Sequence, residues 1–316
     1  MKTEIPDALK ADLPPNLFGK VLGATPVVMT VIATMLAGLA SSEMTKAQYD
    51  RSLAAQQQAK AGDQWSFFQA KRMRGALQRT TLDLLQATAP VPPPTPAEIR
   101  EALLDAGPDG AAALALLDAE NGAVALASLL RGQPPAPPPP AARPPAIAAA
   151  LDAMENLRPD AETAALAGRV TDTMLTDALL AAKARSDAHE AALQPTGRLI
   201  DALDTAFAHP DGQFSATQRG LTAARLRFTA TRYDMEAHLN RAIANLYELQ
   251  VRKNNLSAER HHARSQRFFF GMLGAQMAVI ISTFAIAARK RNLLWSLAAA
   301  AGVAALLFAS YVFLFI

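Results

Sequence analysis

The stretch that most constrains this chain runs from about Leu221 to Ala288. Leu221, Phe228, Met235, Ala242, Leu249 and Leu256 recur every seven residues, and no Pro or Gly interrupts the sequence between Gly220 and Gly271. One helix can carry such a seam for many turns. The seam leads without a break into Phe268 to Ala288, 21 residues without a charge, enough to cross the hydrocarbon core of a bilayer. This joins a long helix outside the membrane to a span within it.

Composition supports helix throughout. The chain is 51% hydrophobic with only 6% aromatics and many alanines, which is not an ordinary soluble composition. Strict alternation of Val, Ile, Thr and aromatics, the mark of strands, is missing outside the apolar spans. The expected fold is an all-α membrane protein, with three transmembrane helices and a long antiparallel, coiled-coil-like helical stalk outside the bilayer. The net charge of +3 over 316 residues is small, and the basic residues are dispersed or gathered at span flanks, which argues against nucleic acid as a partner. There is no cysteine, so disulfides, thiolate metal sites and cysteine nucleophiles are excluded together.

In chain order, residues 1–20 read as a polar tail broken by Pro14-Pro15, and Val21 to Ala40 as the first span, 20 uncharged residues or about 30 Å of helix. Gly38-Leu39-Ala40 would also suit a signal-peptide cleavage site, but the apolar run is longer than a usual signal core, which favours an anchor. Residues 41–88 read as a stalk helix on which Ala70, Met73, Leu77, Thr80 and Leu84 form one apolar stripe that a partner helix could cover.

Residues 89–145 hold two polyproline segments, Ala89 to Pro96 and Gln133 to Pro145, which should be extended and stay out of any helical core. Between them, Ala97 to Leu130 suggests two or three short helices, read as a spacer or as a docking module for a protein partner at the Pro-rich tip. Residues 146–214 return to helix, with Pro195 closing one run and Arg198 to Ala208 forming another. Ser215, with Gln218 three residues on, is a natural cap for the long seam helix of residues 215–267. The second span, residues 268–288, the basic turn Arg289 to Asn292 and the third span, residues 293–316, then make a hairpin. Small residues four apart, such as Gly271 and Ala275 or Ala301, Ala305 and Ala309, permit close contact within it. By the positive-inside tendency the basic turn and the N-terminal tail lie in the cytoplasm, which leaves residues 41–267 outside.

Asp63-Gln64-Trp65-Ser66-Phe67-Phe68-Gln69-Ala70-Lys71, following an N-terminal span, resembles a pattern in bacterial membrane proteins of domain-of-unknown-function family 4337. The chain from Glu259 onward, with its ERHHARSQRFF stretch, span, basic turn and last span, resembles the C-terminal part of the same family. The resemblance covers roughly residues 21–88 and 215–316. It implies a bacterial membrane protein of this architecture and supplies no catalytic residue; combined with the orientation above, the expected location is the bacterial inner membrane, multi-pass, with residues 41–267 in the periplasm.

Trp65, Phe68 and Gln69 share one helical face, with Lys71, Arg72 and Arg74 beside it. They read as knobs packed on the Leu221 to Leu256 seam, or else as an exposed aromatic and basic patch. His261-His262 is the only paired histidine. Adjacent helical side chains diverge by about 100°, which suits a headgroup-facing cluster or a pH-sensitive gate better than a metal site. No catalytic, phosphate-binding or metal-ligand motif is present, so neither an enzyme nor a cofactor is expected. The interaction candidates are therefore Trp65, Phe68, Gln69, Lys71, Leu221, Phe228, Met235, Leu249, Leu256, His261 and His262. They point to a bilayer-anchored scaffold that self-associates as a homo-oligomer or holds a larger assembly. A pore-forming or transport-accessory oligomer is the alternative.

Overall fold

The computed structural model describes residues 17–88, 90–208, 216–287 and 291–315. Among these residues every regular element is a helix: α1 Leu17–Thr88, α2 Pro96–Leu104, α3 Gly107–Asp118, α4 Gly122–Arg131, α5 Pro145–Glu155, α6 Asp160–Ala167, α7 Asp172–Ala206, α8 Ala216–Ala287 and α9 Arg291–Phe315. Helices α1, α8 and α9 each carry a stretch long and apolar enough to cross a membrane. The expected cap residue Ser215 and the first half of the basic turn, Arg289 and Lys290, lie outside the described residues, and its second half, Arg291 and Asn292, opens α9. Gln218 donates from its side-chain amide to the Phe207 carbonyl at 3.3 Å.

The chain divides into two compact units, one from the described residues of Met1–Ala55 and Arg252–Ile316, the other Gln56–Val251. Both are organised on lines of small side chains that recur every seven residues. In the first unit Ala33, Ala40, Ala47 and Ala54 on α1 are buried, as are Ala258 and Ser265 on α8. In the second unit Ala61, Gly75 and Leu82 on α1 are buried, and so are Ala223, Ala230, Ala237 and Ala244 on α8. A helix pair that meets through alanine and glycine sits at the close end of the usual 8–10 Å interaxial range.

The contacts show how close. A Cβ built on Gly75 would stand 3.5 Å from the Ala230 carbonyl oxygen and 3.5 Å from the Tyr233 Cβ. Leu82 and Leu85 pack with Ala223 and Leu226 in the same unit. In the other unit the Ser265 hydroxyl donates 2.7 Å to the Ala40 carbonyl, fully buried, a bond that only near-contact of two backbones permits.

The Leu221 seam lies two residues away from this line and meets something else. Leu221 and Phe228 join one core with Ile99, Leu103, Leu117, Leu126, Leu129, Leu199 and Leu203, contributed by α2, α3, α4 and α7. The Ala97 to Leu130 module is thus no spacer: its three short helices close the second unit's main core. Of the remaining seam residues, Leu249 is buried and Met235 and Leu256 are half-buried.

Residues 90–95 and 133–144 form no helix, in keeping with the fixed φ and missing donors of their prolines, but Pro96 and Pro145, expected within the extended segments, open α2 and α5, and both segments lie on helices. Pro92 and Pro94 cross α8 at Gly220, where any Cβ would come within 2.5 Å of the Pro92 carbonyl oxygen. Pro134 is buried, and Arg185 Nε donates to the Pro138 carbonyl at 2.5 Å. Residues 146–206 form three helices, and the last differs from the sequence reading: α7 runs through Pro195 to Ala206. A helix-interior proline costs roughly 3 kcal/mol, but Leu193, Thr196, Leu199 and Leu203 carry one buried stripe across it, and that burial outweighs the break.

In the first unit the three span-bearing helices interlock through small residues. Ala33, Leu36, Ala40, Phe268, Ala275 and Ala305 form one cluster. Met29 of α1 occupies the space above Gly302 of α9, with its Cε 2.2 Å from where a Cβ would stand. The Trp295 indole donates to the Thr25 hydroxyl at 3.1 Å.

Ala61 is fully buried on the alanine line and Ala59 is exposed. Ala61→Leu should therefore lower stability by about 1–3 kcal/mol through overpacking, while Ala59→Leu stays within about 0.5 kcal/mol. Urea midpoints of the detergent-solubilised protein, followed by circular dichroism, measure both.

Candidate functional site

The conspicuous side chains of α1 in the second unit meet the acids and tyrosines of α8. The Trp65 indole donates to Glu248 Oε1 at 2.6 Å, and its ring meets Phe68 edge-on with centroids 5.4 Å apart. Both aromatics are half-buried, whereas Gln69 is exposed. Lys71 pairs with Glu236 and lies 5.3 Å from the Tyr233 ring centroid. Arg232 takes the same two partners, its Nε 3.1 Å from Glu236 and its guanidinium 5.0 Å from the Tyr233 ring. One turn further along α1 from Gly75, Arg79 pairs with Asp234. Tyr247 repeats the arrangement, with Lys60 of α1 at 6.0 Å and Lys183 of α7 at 5.5 Å from its ring. Cations near tyrosine faces contribute roughly 0.5–1 kcal/mol each where solvent reaches them. Trp65, Phe68, Lys60, Lys71 and Arg79 of α1 thus lie at the contact with other helices, whereas Phe67, Gln69, Arg72 and Arg74 are exposed.

Sequence reasoning missed His189. It is 1% exposed on α7, and neither ring nitrogen has a hydrogen-bond partner among the described residues. Beside it, α1, α7 and α8 border an open cleft of about 520 Å³ whose lining includes Phe67, Lys71, His189, Arg198, Arg232 and Glu236. Burial holds the imidazole pKa below its ordinary value; Glu236 pulls it up, and Arg185 and Arg232 push it further down. A lone histidine in an amphipathic helix carries no signal that it will be buried, so only the packing reveals it.

In the first unit His261 and His262 part company, as adjacent positions on a helix must. His261 Nδ1 lies 2.6 Å from Glu43 Oε2 and its Nε2 lies 4.0 Å from Asp50. His262 instead meets Gln266 on its own helix at 3.1 Å. Glu43 is 8% exposed. Burial pushes its carboxyl up, but the hydrogen bonds and charges of Lys46 and His261 outweigh that, and its pKa ends below the usual carboxylate value. No group of three or more His, Asp or Glu among the described residues is arranged to hold a metal ion.

Residues 20–108 match the family model described as Domain of unknown function (DUF4337). The resemblance read from Asp63 to Lys71 therefore stands. The matched stretch runs past α1, through the first polyproline segment and α2, and ends as α3 begins; residues 215–316 lie outside it. No curated protein and no solved structure matches the chain.

His189 yields a pH dependence with a defined sign. A histidine whose folded pKa is depressed takes up a proton on unfolding once the pH falls below its unfolded value of about 6.5, so stability is lost there as pH falls. The urea midpoint should drop between pH 7.5 and 5.5, and His189→Leu should flatten that part of the profile. An unchanged slope in the variant would contradict the assignment.

Proposed function

We propose that this protein is a membrane-anchored helical scaffold, in which three helices fix the chain in a bilayer and an antiparallel α1–α8 stalk gathers further copies or a larger assembly. The observation that carries the reading is the inverted surface of the first unit. Val27, Val31 and Met35 on α1, Phe270, Met277 and Phe284 on α8, and Leu297, Val303, Leu307 and Leu314 on α9 are all more than 40% exposed. Their helices bury Ala33, Ala275, Ala278, Ala285, Ala298 and Ala305 instead. Large apolar residues outside and small ones between helices are the arrangement that lipid favours, since small residues let helices pack closely and lipid tails solvate the rest. Exposed apolar area of this extent on a water-soluble unit would be an aggregation hazard.

The basic hairpin turn orients the spans with that turn and the N-terminal tail in the cytoplasm, which sets the remainder on the opposite side of a bacterial inner membrane. The role is read as non-catalytic. The polar side chains just described serve helix pairing: Lys71, Arg79, Trp65 and His261 each engage an acid of the opposing helix.

The protein should remain in the membrane pellet after an alkaline carbonate wash, and native mass spectrometry from detergent should give a homo-oligomer. Release by carbonate would overturn the anchor, and a monomer would overturn self-association.

A further inference from the structure

We propose that the outer face of α1 from Ala70 to Leu84 is a docking surface for a second copy of this chain, paired as a short parallel coiled coil. The inference rests on the self-association reading and assigns it a place.

Phe68, Gly75 and Leu82 turn one side of α1 inward. Ala70, Met73, Leu77, Thr80 and Leu84 stand on the other side, and Met73 is 75%, Leu77 62% and Leu84 63% exposed. Isolated exposed leucines are ordinary, but these positions alternate in steps of three and four, the 3.5-residue period of a coiled-coil seam. The apolar line is thus in register with a helix like itself.

Charge fits a second copy of the same helix. The seam is flanked by Gln69, Ala76 and Asp83 on one side and by Arg74 and Thr81 on the other. In a parallel pair each residue of the first flank meets the residue five positions on in the partner. Gln69 then meets Arg74 and Ala76 meets Thr81, and no like charges are opposed. Of the three further cations of this segment, Lys71 and Arg79 are held against α8 by Glu236 and Asp234, and Arg72 is exposed outside the two flanking lines, so none of them occupies a position that meets the partner's flank. A strongly acidic or basic partner would find a flank with one charge of each sign. Copies inserted in one bilayer share their orientation, which makes parallel pairing the accessible arrangement. The stripe covers only about 21 Å of helix. Such a contact is weak alone, and tethering in a membrane supplies the effective concentration it needs.

The cysteine-free chain allows a clean test. Single-cysteine variants Met73→Cys, Leu77→Cys and Leu84→Cys of the full chain are oxidised in membranes alongside Arg72→Cys and Gln86→Cys, which lie on an exposed face beside the stripe. All five side chains are exposed, so folding is not at stake. The inference predicts disulfide-linked dimer several-fold higher at positions 73, 77 and 84 than at 72 and 86, because a disulfide needs Cβ atoms about 3.5–4.5 Å apart. A flat pattern, or none, in a protein that native mass spectrometry finds oligomeric overturns this surface, leaves self-association standing elsewhere and gives the stripe to a different protein. A monomer by mass with no cross-link overturns both.

Discussion

Close approach of two helix backbones is the constraint from which the rest of this structure follows. α1 and α8 can share a close contact only where what lies between them is small, and at the line of contact each presents mostly alanine, glycine or serine at intervals of seven, with Phe68 and Leu82 of α1 and Val251 of α8 the larger members. Close approach multiplies weak dispersion contacts along the pair and lets a side-chain hydroxyl reach a backbone carbonyl, as Ser265 does to Ala40. The larger side chains are displaced to either side of that line. There the tyrosines and acids of α8 meet the cations and the indole of α1, and the Leu221 line is free to build a thicker core with the helices of the proline-bounded segment.

That division of α8 explains why the second unit needs its inserted helices. Leu221 and Phe228 sit on the side of α8 that α1 does not cover, and without α2, α3, α4 and α7 they would be exposed. The polyproline segments carry the chain across the surface, one at Gly220 and the other under Arg185, but each reaches inward: Pro94 and Pro134 are buried, and Val91 packs beside Leu82, Ala223 and Leu226. Under the proposed membrane anchoring, the small residues on α8 and α9 of the first unit would solve a related problem in another solvent, since between lipid-facing helices it is packing and hydrogen bonding, not water exclusion, that favours association.

Much of this was legible in the sequence. The apolar spans, the unbroken helix after Gly220, the extended proline segments and the family pattern around Trp65 follow from composition and punctuation. The alanine lines were not read, although Ala33, Ala40, Ala47, Ala54 and Ala61 stand seven apart in plain view. In an alanine-rich chain such a line has little contrast, while leucines two residues out of step draw the eye to a seam that serves different partners. Pro195 misled for the opposite reason: a strong local signal was overridden by burial on both sides of it. His189 and the Arg185 contact to Pro138 depend on residues far apart in the chain, and no local pattern encodes them.

The most direct test of the alanine-line contact is a register-specific disulfide. A Cβ at Gly75 would stand 3.5 Å from that of Tyr233, within the range a disulfide requires, and the chain has no other cysteine to interfere. The double variant Gly75→Cys with Tyr233→Cys should close an intramolecular bond on mild oxidation, detected by mass and by mobility without reductant. Gly75→Cys with Ala237→Cys, one helical turn away, should stay reduced under the same conditions. Equal closure of both pairs, or closure of the second alone, would contradict the register and with it the close-packed line on which the account depends.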